Sequence, residues 1–250
     1  MKKRYDLYYD FLAQHVIDPF YEKRFERLNE LKLDRILKKK NPYLFKAKNL
    51  EIAGELVKSI LDAYLSSQEE TIFGDLLEPF AIYVSNLLYG GFKSGYPSID
   101  LEFQRNDVYH IVSIKSGTAW GNRDQIDRMK DNFKAARKDL RKKPEIPKRI
   151  IAVNGCMYGR DKNPLKSHPD RDKVYYKYAG QDFWNFISED DNLYREIIKP
   201  IDKEAKRKDE RFKEAYSAKI NEMTKDFIER FITDNQIDWI TLVDFVSRRS

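Results

Sequence analysis

The chain contains one cysteine, Cys156, and three histidines, His15, His110 and His168, among 250 residues. A lone thiol closes no internal disulfide and builds no cysteine zinc site, and three scattered imidazoles give no histidine cluster. A catalytic metal would therefore sit on oxygen ligands, which favours magnesium, with manganese as a substitute. Long apolar runs are missing as well. No stretch approaches the roughly 18 apolar residues of a membrane helix. The N-terminal MKKRYDLYYDF has basic residues with no apolar run behind them, so no signal peptide is expected. Internal repeats and low-complexity linkers are absent too. These absences lead to an expected cytoplasmic protein with no membrane partner.

What is present is charge and aromatic surface. Hydrophobic residues make up 41% of the chain and aromatics 14%, enough for a real core, so wholesale disorder is excluded. Lys and Arg number 47 against 41 Asp and Glu, a formal net charge of +6, beside 16 Tyr and 15 Phe. Basic groups mixed with flat rings suit a nucleic-acid partner, although a solvated basic surface gives the same composition.

Apolar spacing predicts helices over 5–40, with Pro19 ending or kinking the first piece, then a loop at NPYLFKAKN and a helix over 49–65. A further helix is expected from Ser67 to Gly90. Ser67 and Glu70 have capping-box spacing, Phe73, Leu77, Phe80, Val84 and Leu88 form the stripe, and Pro79 places the regular start near Glu78. Strands at 98–104 and 108–116 form a hairpin. A helix over 123–142 follows with Asn122 as its cap. The run KRIIAVNGCMYG reads as a central buried strand, DKVYYKYAG as another, and QDFWNFI as the start of a helix. From Asp190 onward the chain is mostly helical. The expected architecture is a single α/β domain over 1–250: a helical extension at 1–66, a catalytic core at 67–188 with a mixed central sheet flanked by helices, and a helical extension at 189–250.

Within the hairpin, strand alternation puts Asp100 and Glu102 on one face. Tyr109, Ile111, Ser113 and Lys115 share a face of the partner strand. An even-length turn brings Asp100 to the face of Ser113 and Lys115. Phosphodiester hydrolysis uses such a group: a carboxylate fixes a divalent metal, and a lysine on the same side stabilises developing charge or orients water. A second carboxylate normally completes the oxygen shell. A hairpin with charges on a wet face would show the same pattern, with Lys115 a solvated strand end and Asp100 a turn cap.

The stretches SID and IVSIKSG resemble the PD-(D/E)XK nuclease signature, and FGDLLE resembles that superfamily's first core helix. NPYLF, SIKSGTAWGN and KVYYKYAGQDFWNFI resemble type II restriction endonucleases, notably a group cutting GGNCC-like sites. The similarity runs in patches from about Asn41 to Ser188. It implies a restriction-endonuclease-like fold and magnesium-dependent, sequence-specific cleavage of double-stranded DNA by a homodimer. One departure is clear: Ser113 occupies the position usually held by Glu or Asp. The resemblance implies that the missing acid comes from another element. Glu78 is the first choice and Asp127 the second, with Glu102 and Asp124 further off. Asp100 and Glu78 would hold the metal, and Lys115 would act at the phosphate. The alternatives are a repair or recombination nuclease of the same fold, or a DNA-binding protein without catalysis.

DNA contacts are sought on the helix after the site, at Arg123, Lys130 and Lys134, although Asp124, Asp127 and Asp131 among them also fit a solvated mixed face. The long polar loop at 158–173 offers Arg160, Lys162, Asn163, Lys166 and Arg171 for base edges. His110 is expected to pack, Cys156 to be an inert core thiol, and Trp120 either to stack on a ligand or to pack.

Overall fold

The computed structural model describes residues 2–161 and 175–249. Their elements run in the order α1 (Lys2–Phe11), a wide π turn (Leu12–Ile17), α2 (Asp18–Glu30), α3 (Leu33–Lys39), α4 (Pro42–Ala47), α5 (Ala53–Tyr89), β1 (Phe92–Lys93), β2 (Leu101–Arg105), β3 (Val108–Lys115), α6 (Arg123–Leu140), β4 (Arg149–Cys156), β5 (Tyr176–Ala179), α7 (Gln181–Ser188), α8 (Leu193–Glu196), α9 (Ile198–Phe231), β6 (Ile232–Thr233), β7 (Gln236–Ile237) and α10 (Trp239–Ser247). They group into two compact units, one of Met1–Val16 with Gly74–Asp202, the other of Ile17–Phe73 with Lys203–Ser250.

The first unit is built on a five-stranded mixed sheet in the order β1-β2-β3-β4-β5. The first three strands are antiparallel, while β3, β4 and β5 run parallel. The continuous apolar run of β4 occupies an interior position, as its sequence predicts. On one face α6 lays Met129, Phe133, Ala136 and Leu140 against Tyr109, Ile111, Ile150 and Ala152. Asn122 caps that helix by accepting from the Gln125 amide, with Gln125 returning the bond. Phe103 stacks on His110 and meets Phe186 of α7, and Phe80 of α5 meets Trp184. The N-terminal helix belongs to this unit: Tyr5 and Tyr9 donate to the carboxylates of Asp190 and Glu196, each at 2.6 Å. The extension drawn at 1–66 therefore divides, its first sixteen residues going with the sheet.

The second unit is helical. Leu28, Leu31, Ile36, Leu37, Phe45, Leu56, Leu61 and Phe227 are among the side chains of its core. A small hairpin, β6 with β7, was not expected within the charged C-terminal helix. Asp234 and Asn235 form its turn at φ 50° and 59°, the left-handed pair that a two-residue hairpin requires.

Three expectations about α1–α5 are corrected. The supposed break at Ser67 does not exist, because α5 runs unbroken for 37 residues. Ser67 donates to the Ala63 carbonyl one turn back instead of capping, and Pro79 lies inside the helix, not at its start. NPYLF is not a loop. Asn41 accepts from the amides of Tyr43 and Leu44, Pro42 begins the helix, and α4 results. At Pro19 the chain does not leave the helix, passing from the π turn of Leu12–Ile17 directly into α2. The π turn widens the backbone where the proline ring would otherwise crowd the preceding turn.

Candidate active site

The hairpin turn sets the register. Asn106 and Asp107 make a two-residue turn, Arg105 pairs with Val108, and Leu101 pairs with Val112. Asn106 adopts φ 53°. The turn's even length brings Asp100 to the face of Ser113 and Lys115, as strand alternation requires. Asp100 precedes β2, and its amide donates to the Val112 carbonyl at 2.8 Å, which carries the ladder on to the level of Ser113.

Asp100 is largely buried and firmly held. Its Oδ2 accepts from the Ile114 amide at 2.7 Å, and Lys115 Nζ lies 3.7 Å from the same oxygen. Lys115 Nζ also donates to the Ile114 carbonyl at 2.9 Å and stands 5.4 Å above the Trp120 ring. The apolar run of β3 thus ends where its lysine turns back to meet Asp100.

Glu78 joins this group through a residue that sequence reasoning missed. Lys93, on the two-residue strand β1, donates to Glu78 Oε1 at 2.5 Å and to Asp100 Oδ1 at 3.2 Å. Burial pulls this ammonium's pKa down, but the hydrogen bond to Glu78 and the charges of Asp100 and Glu78 outweigh it and hold it above the ordinary lysine value. The reason for its placement is register: Lys93 pairs with Leu101, the neighbour of Asp100.

The other candidates lie elsewhere. The carboxylate of Asp127 is half exposed on α6, with Lys130 at 2.8 Å and Arg123 at 3.9 Å. The hydrogen bond from Lys130 holds it below the usual carboxylate range. Glu102 is buried and accepts from Ser94 and Tyr109, so its oxygens serve the fold. Ser113 is completely buried with an unpartnered hydroxyl. Among the described residues no three His, Cys, Asp or Glu side chains gather as a metal-holding group. The oxygen donors brought to one place are the two carboxylates of Glu78 and Asp100. An ammonium already bridges them, so the pair accepts a cation, and their chemistry fits a magnesium-type ion.

A second missed residue is Asn154, hidden in the apolar run of β4. It pairs with Ser113 on β3 and with Lys177 on β5, and its Oδ1 accepts from the Trp120 indole at 3.1 Å. Trp120 therefore packs, with its ring beside Lys115 and its nitrogen tied to the sheet. Lys177 donates to the Thr118 carbonyl at 3.4 Å, which ties β5 to the loop after β3. Gly74 of α5 faces that loop closely, since a Cβ there would meet Ser116 Oγ at 2.3 Å. With β3, β4 and β5 parallel, Lys115 and this loop lie at the carboxyl ends of the strands, where ligands of open α/β sheets bind.

Of the proposed DNA contacts, Arg123 is almost fully exposed, while Lys130 and Lys134 pair with Asp127 and Asp131. Arg160 is exposed at the start of the long loop. Lys162, Asn163, Lys166 and Arg171 lie outside the described residues. Cys156 is buried, and burial pushes its thiol up to about 11, as expected of an inert core group.

The model of the family described as type II restriction endonuclease EcoO109I matches residues 9–209. No curated protein matches the chain. The matched segment contains the whole mixed sheet and every residue of the Glu78, Lys93, Asp100 and Lys115 group. The chain belongs to the EcoO109I family of type II restriction endonucleases, site-specific deoxyribonucleases with a restriction-endonuclease-like α/β fold.

Proposed function

We propose that the chain cuts double-stranded DNA by magnesium-dependent hydrolysis of phosphodiester bonds, with Glu78 and Asp100 holding the metal and Lys115 acting at the phosphate. One observation carries this reading: Asp100 touches Lys115 directly and reaches Glu78 through Lys93, at the carboxyl end of β3. A bound magnesium ion supplies charge stabilisation at the phosphoryl oxygen and a more acidic water.

The chain's own residues do the rest. Asp100 is oriented by the Ile114 amide on one oxygen, which leaves its second oxygen to Lys93. Glu78 supplies the second carboxylate from α5, in place of the acid that Ser113 lacks. Lys115 is held by the Ile114 carbonyl and the Trp120 ring, so its charge is preorganised to meet negative charge developing on the phosphate or to orient the attacking water. Arg123 and Arg160 are exposed cations for phosphate contact, which positions the duplex without reading it. Manganese is expected to substitute for magnesium. A homodimer follows from the chemistry: one site cuts one strand, and a palindromic site mirrors two-fold protein symmetry.

Digestion of DNA of known sequence with magnesium, followed by mapping of the ends, tests the reading. GGNCC-like sequences are the first to examine. Discrete fragments with ends at one recurring sequence support it. Smearing without a recurring sequence contradicts it.

A further inference from the structure

Two lysines stand at the Glu78–Asp100 pair, and they are held differently. Lys115 is about three-quarters buried and fixed by the Ile114 carbonyl, Asp100 and the Trp120 ring. Lys93 projects from a two-residue edge strand, and 56% of its side chain is exposed. Apart from the two carboxylates, no hydrogen-bond partner holds its ammonium among the described residues. Its four-carbon stem has several rotatable bonds, so the ammonium can leave without moving the backbone.

We propose that Lys93 is the resident counter-ion of the Glu78–Asp100 pair, and that a divalent cation displaces it to reach those carboxylates. The proposal rests on the reading of Glu78 and Asp100 as the metal-holding pair. Its basis is competition for oxygens. Glu78 Oε1 and Asp100 Oδ1 both accept from one ammonium, at 2.5 Å and 3.2 Å. A magnesium ion approaches carboxylate oxygen to about 2.0–2.1 Å. A dication and an ammonium sharing that gap would repel strongly at such separations. Lys93 therefore compensates the two acids when the site holds no metal and opposes loading of the metal. Once displaced, its charge stays tethered to β1 beside the site, available to a DNA phosphate.

The test is manganese binding to the full-length protein without DNA, read by the electron paramagnetic resonance signal of free Mn2+. Lys93→Met, or Lys93→Gln if the first variant does not fold, is expected to bind manganese about fivefold more tightly, the size of a partly exposed ion pair. Lys93→Arg, which keeps the charge, is expected to remain close to wild type. Asp100→Asn is expected to lose the binding. Unchanged or weaker binding in the neutral variants, with Asp100→Asn still defective, would overturn the role of Lys93 and leave the metal-holding pair intact. Manganese binding insensitive to Asp100→Asn would overturn both.

Discussion

The Ser113 hydroxyl is buried beside the proposed metal site and lacks a hydrogen-bond partner. A desolvated, unpaired hydroxyl contributes nothing to stability and carries a penalty on the order of 1 kcal/mol or more. Ser113→Ala is therefore expected to keep magnesium-dependent cleavage and to melt at or slightly above the wild-type temperature. A cleavage loss of tenfold or more in this variant would give Ser113 a direct part in the chemistry. His110, as sequence alternation indicates, faces the apolar side and stacks on Phe103. Burial pushes its pKa down to about 4 from the ordinary 6.5, with Arg105 and Arg149 adding to the effect. Below pH 6.5 the unfolded chain takes up a proton that the folded chain refuses, so stability falls as pH drops from 6.5 towards 4. The contribution is on the order of 3 kcal/mol. Urea unfolding across that range should show a shallower pH dependence for His110→Leu than for wild type. Parallel curves would mean that the imidazole titrates normally.

Elements were legible where one period dominated. The two-residue alternation of β2 and β3 brings Asp100 to the face of Ser113 whether the turn begins at Arg105 or Asn106, because only its even length matters. On α6 the span and the Asn122 cap were both readable in the sequence. Where two local rules competed, tertiary packing decided. Ser67 and Glu70 have the spacing of a capping box, yet a helix that buries Leu61, Tyr64, Leu65, Ile72 and Leu77 along its length has no reason to stop there. Lys93 was illegible for a different reason. A two-residue strand leaves no pattern, and its importance appears only once β1 is placed beside β2. Asn154 was masked by the apolar run around it. The packing of β4 on α7 makes a sharper test of element-level placement. A Cβ at Gly155 would meet the buried Phe183 ring at 2.3 Å. Gly155→Ala should cost about 1–3 kcal/mol in urea unfolding. A variant as stable as wild type would contradict that contact.

At the scale of the whole molecule, composition excluded more than it specified: few histidines and one cysteine left oxygen ligands as the available metal chemistry. The family came from the order and spacing of short motifs, and the match over residues 9–209 supports the same reading. The division into two units was not legible, since each draws on two separate stretches of the chain and none of the three boundaries is marked by a linker. The most direct test of the proposed function compares wild type with Asp100→Asn and Lys115→Ala in magnesium-dependent nicking of plasmid DNA, with DNA binding measured in parallel. Asn at position 100 can still accept the Ile114 amide, so the hairpin should survive the change. Both variants are expected to bind DNA and to lose cleavage by about 100-fold or more. Cleavage undiminished in both would contradict the assignment of this site.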